Sequence, residues 1–272
     1  MSAARAITVT GDTAPRYIDT HCHLDDAAFS SDLGGVLDQS RSVGVCSWIN
    51  VGYTPERWTS TLGLGTEVPG IAVMLGLHPA EADRWTDDLE DALIALLKSS
   101  GARAVGETGI DLFRGETNLD RQRGAFTRQL AIAVELGLPA VIHMRAAEKE
   151  VLTILSTETV LPRLLFHSFD GGPELTAFVN ETGAYVGVGG LATRPVAKGL
   201  RSQLARISPD RIVLETDAPY LVPAKAPGRR NAPGNLPLIA AVLADLLGMD
   251  VTTIAALTTA NAEGLFGDLE PA

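Results

Sequence analysis

Positive charge is in short supply in this sequence: 22 Lys and Arg stand against 33 Asp and Glu, a formal net charge of −11 over 272 residues. An acidic surface repels phosphates, which excludes a generic basic sleeve for nucleic acid. Any polyanionic substrate needs a local cation, and two bound dications, adding four positive charges, would leave −7. Cysteine is nearly absent too. Cys22 and Cys46 each lie in an apolar, strand-like run, which excludes a disulfide scaffold and predicts reduced thiols. No later stretch offers about 18 uninterrupted apolar residues, so no membrane partner is expected. The first residues, MSAARAITVTGDTAPRY, have neither the apolar core nor the positive cluster of a signal peptide, and a cytoplasmic location is expected.

What is present is a hydrophobic content of 46%, enough for a substantial core. Barrels of the (β/α)8 kind often reach about 250 residues as one domain, so a single domain over 1–272 is expected. Short apolar, β-branched runs alternate with longer amphipathic stretches, the pattern of βα units building a parallel sheet covered on both faces. The runs are 17–24, 45–51, 71–78, 104–111, 140–145, 164–169, 184–189 and 211–217. Their number predicts a closed TIM barrel. Between them, 118–136 carries Phe126, Leu130, Ala133 and Val134 on one helical stripe, with Asn118 as N-cap and Gly137-Leu138-Pro139 as the stop. The same helix-then-glycine punctuation recurs at 174–181 with Gly183 and at 235–247 with Gly248, and 251–265 closes the chain as a helix. The segment 222–234, rich in Pro, Gly and Arg, reads as a working loop.

All five histidines fall within or at the end of these strands: His21, His23, His78, His143 and His167. In a (β/α)8 enzyme, functional groups project from the C-terminal ends of different strands, so residues distant in sequence converge on one mouth. In Asp19-Thr20-His21-Cys22-His23 the two histidines share a strand face while Cys22 points the other way, a pair able to grip one ion. A pair of structural histidines is the alternative, disfavoured because same-face imidazoles repel when protonated. Imidazole and carboxylate donors suit zinc, manganese or iron and carboxylate-rich positions also admit magnesium, so residue types alone leave the metal open.

Glu107 sits near the end of an otherwise apolar strand, where a carboxylate is costly to bury without a cation or hydrogen bonds, and a bridge between two ions fits. Asp217 repeats the logic at the last strand, with Glu215 on the same parity and Pro219 ending the run. Taken alone, either acid also fits a helix cap or an ion pair. His143 and His167 each end an apolar strand; a single histidine there is often structural, but coincidence at several strands favours ligands. His21, His23, Glu107, His143, His167 and Asp217 already suffice for two divalent ions with open positions, which leaves His78 for substrate contact. Arg145, Arg229, Arg230 and Asn231 are candidates to hold a phosphate or carboxylate by forked hydrogen bonds.

These residues resemble the TatD family of metal-dependent hydrolases within the amidohydrolase-like barrels. The matching pieces are DTHCHL at 19–24, GLHP at 76–79, GETGID at 106–111, LPAVIHMR at 138–145, FHSFDG at 166–171, LETDAPYL at 214–221 and TTANAEGLF at 258–266. They follow the family's order across nearly the whole chain. The resemblance implies a binuclear or occasionally trinuclear divalent-metal centre (Zn, Mg or Mn) held by the same six residues. It also implies DNase activity, often 3′ to 5′ on DNA ends, which makes DNA ends the expected partner. The alternative is a carboxylic-ester or C–N hydrolase of the amidohydrolase type, including removal of D-amino acids from tRNA. Either chemistry gives Asp217 the role of general base beside Glu107 as bridge. Where the family usually shows Arg-Asn-Glu-Pro, this chain has Arg230-Asn231-Ala232-Pro233 and so lacks an acidic group in that loop. Ser168 replaces a common Cys and Ile110 a common Leu, and neither change removes a ligand.

Overall fold

The computed structural model describes residues 15–113, 118–269 and 271, so the reading of the N-terminal segment lies almost wholly outside the described residues. Eight strands form one sheet in sequential order: β1 (Tyr17–Cys22), β2 (Val45–Gly52), β3 (Ile71–Leu75), β4 (Val105–Asp111), β5 (Ala140–Arg145), β6 (Leu164–Phe166), β7 (Tyr185–Val188) and β8 (Ile212–Leu214). Each consecutive pair is parallel, and a bridge between Cys22 and Ala218 brings the last strand back to the first. Helices α1 (Leu33–Ser42), α2 (Pro55–Glu67), α3 (Asp87–Ser100), α4 (Leu119–Leu136), α5 (Glu148–Thr157), α6 (Pro173–Thr182), α7 (Lys198–Leu204), α8 (Leu236–Leu247) and α9 (Val251–Phe266) make up the outer layer. This is the (β/α)8 barrel that the alternation of runs predicts. Among the described residues no single helix is long and apolar enough to cross a membrane.

The strands read as unbroken apolar runs because both faces are covered: every residue of β1 and of β4 is buried. The apolar core divides accordingly. A large cluster joins strands to helices and includes Cys22, Trp48, Phe126 and Phe166. A smaller one takes Ile18, Ile49, Met74, Val141, Leu165 and Val213 from six strands and adds Leu265 and Phe266 of α9. The end of α9 lies across the N-terminal rim of the barrel, where Thr259 Oγ1 donates to the Arg16 carbonyl and Arg163 donates to the Gly264 carbonyl. The opposite rim is left for chemistry.

Local signals hold where they are strongest. The Asn118 side chain accepts from the Arg121 amide, and α4 ends on Gly137 at φ 66°, a left-handed position that suits a residue without Cβ. Gly183 and Gly248 close α6 and α8 in the same way. On α4, Phe126, Leu130 and Ala133 are buried, while Val134 sits at the edge of the stripe.

Three strands stop three residues short of their apolar runs. The runs 71–78, 164–169 and 211–217 pair only as far as Leu75, Phe166 and Leu214. Beyond those points the chain turns sharply, with Ser168 at φ 49° and Asp217 at φ 57°. Chemically useful side chains there compete with ladder geometry, and the ladder ends.

The return from β8 to β1 is closed largely by side chains. Thr20 Oγ1 donates to the Leu214 carbonyl at 3.0 Å, and the Asp19 carboxylate accepts from the amide and hydroxyl of Thr216. Two backbone bonds, Asp217 N to His21 O and His23 N to Ala218 O, each 2.8 Å, complete the junction. Thr20 is fully buried. Thr20→Val keeps its volume and strands the Leu214 carbonyl, so it should cost about 1 kcal/mol and lower the melting midpoint by roughly 2–4 °C in calorimetry.

Candidate metal centre

The C-terminal rim gathers all five histidines. His21 lies in β1 and His23 one residue beyond it, His143 lies in β5, His167 follows β6, and His78 caps the 3-10 turn Pro79–Arg84 after β3. They surround Glu107 of β4, which is 4% exposed. Its two carboxylate oxygens face different partners. Oε1 lies 2.6 Å from His143 Nδ1, 2.8 Å from His167 Nε2 and 3.7 Å from His78 Nε2. Oε2 lies 3.5 Å from His21 Nε2. Asp217 completes the second side, its Oδ1 being 3.2 Å from His23 Nε2 and 3.8 Å from His21 Nε2.

Ligand atoms therefore fall into compact sets: His21, His23 and Asp217 form one, and Glu107, His143 and His167 form another. Both ring nitrogens of His21 are buried without a hydrogen-bond partner among the described residues. Buried polar atoms in that state are rare in a folded chain, and Nε2 faces carboxylate oxygens of Glu107 and Asp217 at 3.5 and 3.8 Å, which suits a cation. A further set, His78, Asp111 and His143, flanks the second.

Charge within the site is strongly redistributed. Burial alone would push Glu107 up, but the imidazoles of His167, His78 and His143 prevail and hold it well below the usual carboxylate range. Burial likewise opposes the charged form of His167, yet Glu107 and Glu215 lift it well above the ordinary imidazole value. Asp217 is pushed up by burial and brought below its usual value by His23. His21 is lowered by burial and by His167, and His78 is pushed down to about 4 by burial, with Glu107 opposing. His21 and His78 are thus neutral, whereas the carboxylates hold a proton on His167 that a bound cation would have to displace.

Two acids behind the histidines were not assigned from the sequence. Asp111 Oδ2 lies 3.2 Å from His143 Nε2, and its Oδ1 accepts from the Phe113 amide at 2.9 Å. Glu215, fully buried, accepts from the Ser168 amide and lies 3.7 Å from His167 Nδ1. Each carboxylate orients the ring whose other nitrogen faces Glu107. Gly187 on β7 gives Glu215 its room, since a Cβ there would fall 2.0 Å from Oε2. Strand alternation carried a signal for both: Asp111 shares the parity of Glu107, and Glu215 that of Asp217.

Above the histidines opens a cleft of about 650 Å3. His78 and Arg145 line it, together with Tyr53, Arg194 and Tyr220. The Arg145 guanidinium stacks on Phe113 at 3.8 Å. Arg230 and Asn231, the other expected substrate contacts, do not line the cleft. Arg230 is held in a forked ion pair with Asp32 at 2.6 and 2.9 Å and lies over the Phe29 ring. Asn231 is fully buried, donating to the Thr216 carbonyl at 2.8 Å and accepting from Asn235 at 2.9 Å. Arg229 is exposed and also outside the cleft lining. The segment 222–234 thus braces the rim with these residues. Arg194 was missed because its exposed loop shows no periodicity.

A (β/α)8 barrel whose C-terminal rim holds four imidazoles around one buried carboxylate is a metal-dependent hydrolase in class. Residues 18–267 match the family described as TatD related DNase. The chain belongs to that family. It is 32% identical over 253 residues to the metal-dependent hydrolase YabD of Bacillus subtilis, covering 91% of this chain and 98% of that one. It is also 32% identical over 254 residues to the 3′-5′ ssDNA/RNA exonuclease TatD of Salmonella typhimurium, with 91% and 98% covered. Among solved structures, the TatD homolog YjjV of Escherichia coli K12 superposes with a TM-score of 0.88 at 30% identity, covering 94% of this chain and all of that one.

The arginines separate by placement. Arg145→Ala should raise KM roughly tenfold, the loss expected for a charge-assisted contact. Arg230→Ala should leave KM within about twofold and cost about 0.5–1 kcal/mol of stability, as for a partly exposed ion pair. Steady-state kinetics beside thermal melts check both; a larger KM effect for Arg230→Ala would return that residue to the substrate site.

Proposed function

We propose that this protein is a divalent-metal-dependent 3′-5′ exonuclease that removes terminal nucleotides from single strands. The observation that carries the reading is the division of Glu107, one oxygen toward His143 and His167 and the other toward His21. A carboxylate so placed would help hold two cations, one also by His21, His23 and Asp217 and the other by His143 and His167. What supports the polarity and the strand preference is identity of 32% to the Salmonella 3′-5′ ssDNA/RNA exonuclease over nearly its full length. The donor set of imidazoles and carboxylates admits zinc, manganese or magnesium.

When bound, two divalent cations supply Lewis acidity, acidifying water and offsetting charge on a phosphoryl group. The protein's own part is positional. Asp217, brought below the usual carboxylate range by His23 against the effect of burial, is ionised at neutral pH and accepts the proton of the attacking water. His78, neutral because burial brings it to about 4, already accepts the Ala80 amide at Nδ1 and turns Nε2 toward Glu107 and the cleft. Arg145, steadied on Phe113, and Arg194 face the cleft and can pair with the phosphate on the 5′ side of the scissile bond.

Metal-reconstituted protein given 3′-end-labelled single-stranded DNA should release the terminal nucleotide, and EDTA should stop it. Asp217→Asn should lower kcat by about 10²–10⁴-fold, the usual share of a general base. Full activity in that variant, with metal bound, would remove the base role. Cleavage of carboxylic esters or aminoacyl-tRNA, with no release from strands under Mg, Mn or Zn, would overturn the exonuclease reading in favour of ester hydrolysis.

A further inference from the structure

The barrel has a gap between β3 and β4. These strands share a single register pair, Leu75 with Val105, whereas β2 and β3 pair over five residues and β4 and β5 over six. Above Leu75 the chain carries Leu77 and His78 on one side of the gap and continues β4 to Asp111 on the other. A buried backbone amide or carbonyl without a partner is costly, so groups facing this gap need one.

Two glutamines of α4 supply it. Gln129, fully buried, accepts the Leu77 amide at Oε1 at 2.7 Å and donates from Nε2 to the Leu77 carbonyl at 3.1 Å. Gln122, 1% exposed, accepts the Asp111 amide at 2.8 Å and donates to the Asp111 carbonyl at 3.2 Å. A primary carboxamide offers one acceptor and two donors, so it can satisfy both backbone groups of one residue as a neighbouring strand would. The glutamines are two helical turns apart and share one face of α4. Gly76 keeps the space open, since a Cβ there would lie 2.7 Å from the Gly106 backbone and 3.0 Å from Gln129 Oε1.

What they hold is next to the chemistry. Leu77 precedes His78, whose ring reaches toward Glu107. Asp111 is the acid behind His143 Nε2. We propose that Gln122 and Gln129 are positioning residues of the hydrolytic site: their carboxamides cap the two backbone edges that face the gap between β3 and β4, Gln122 fixing Asp111 behind His143 and Gln129 fixing the backbone that aims His78. The inference rests on the proposed metal site for its functional consequence, while its geometric content concerns this chain alone.

The test uses Gln122→Leu and Gln129→Leu in the full chain, with Ile132→Ala, a cavity variant at a buried position of the same helix, as the stability control. Imidazole ring 15N spectra of the metal-free proteins should show His143 displaced in Gln122→Leu with His78 in place, and the reverse in Gln129→Leu. Titration with Mn2+ should show affinity lowered roughly 10–100-fold in Gln122→Leu, as for other groups that orient a metal-binding histidine. Gln129→Leu should keep its Mn2+ affinity and raise KM for bis(p-nitrophenyl) phosphate, a substrate that does not presuppose a nucleic acid. If a leucine variant does not fold, Gln122→Glu and Gln129→Glu keep the shape and the amide acceptor and are read in the same way. Unchanged ring spectra in folded variants, or equal losses in Ile132→Ala at a matched melting midpoint, would overturn the proposal. Wild-type protein that binds no Mn2+ would instead defeat the metal-site reading, leaving the ring spectra to judge the glutamines.

Discussion

The structure turns on one buried carboxylate. Glu107 is 4% exposed, and an ionised carboxylate taken so far from water is costly unless cationic or hydrogen-bonding groups surround it. The imidazoles of His21, His78, His143 and His167 lie within 3.7 Å of its oxygens and offset part of that penalty. They belong to four different strand exits. Only a sheet that curls back on itself brings such exits within ligand distance of one point, so the demand of a single side chain and the closure of the barrel are one constraint. Packing is arranged to permit it: where Glu215 must come behind His167, β7 carries Gly187.

Much of this was legible in the sequence, for identifiable reasons. Parallel strands covered on both faces leave unbroken apolar runs, so the strands were found, and β5 was bounded to the residue at Ala140–Arg145. Histidines two apart announce a shared face, and Cys22 between them does join the sheet-to-helix core. Strand ends were not legible, because the run read from the sequence continues to Phe169 while pairing stops at Phe166. Apolar content records burial, not hydrogen bonding. The placement of Arg230 was hidden for a related reason: composition marks a loop as polar but cannot show that Asp32, 198 positions away, claims the guanidinium. Gln122 and Gln129 passed unnoticed because a helical stripe is judged by its apolar members, whereas two glutamines inside the buried stripe were the informative departure.

The irregular parts of the barrel and its chemistry coincide. At the β3–β4 gap carboxamides cap the backbone edges, and Asp19, Thr20 and Thr216 fill the β8–β1 junction. At both places a regular ladder has been replaced by side-chain hydrogen bonds. A ladder fixes strand register but holds adjacent exits at the uniform spacing of a sheet, near 4.8 Å. Side-chain clasps allow strands to part at one level while backbone groups remain satisfied, which frees room for Glu107 and Asp217 to face imidazoles from two directions. Residues that look merely structural in these seams therefore set the geometry on which hydrolysis depends.

Acidity also bears on the proposed substrate. With a net charge of −11, the protein as a whole repels a polynucleotide, and the candidate groups that oppose this, Arg145 and Arg194, are confined to the cleft alongside acids such as Glu81 and Asp170. Attraction that is local holds the nucleotides inside the cleft and leaves the rest of the strand in solution. A nuclease gripping the interior of a duplex needs a long basic track, because affinity there comes from neutralising many phosphates at once. An enzyme that engages only the end of a strand does not, and it gains from repulsion beyond the cleft because the shortened strand is more readily released. The charge that seemed at first to speak against nucleic acid is therefore compatible with one particular way of handling it, from the end, with the positive charge brought by metal.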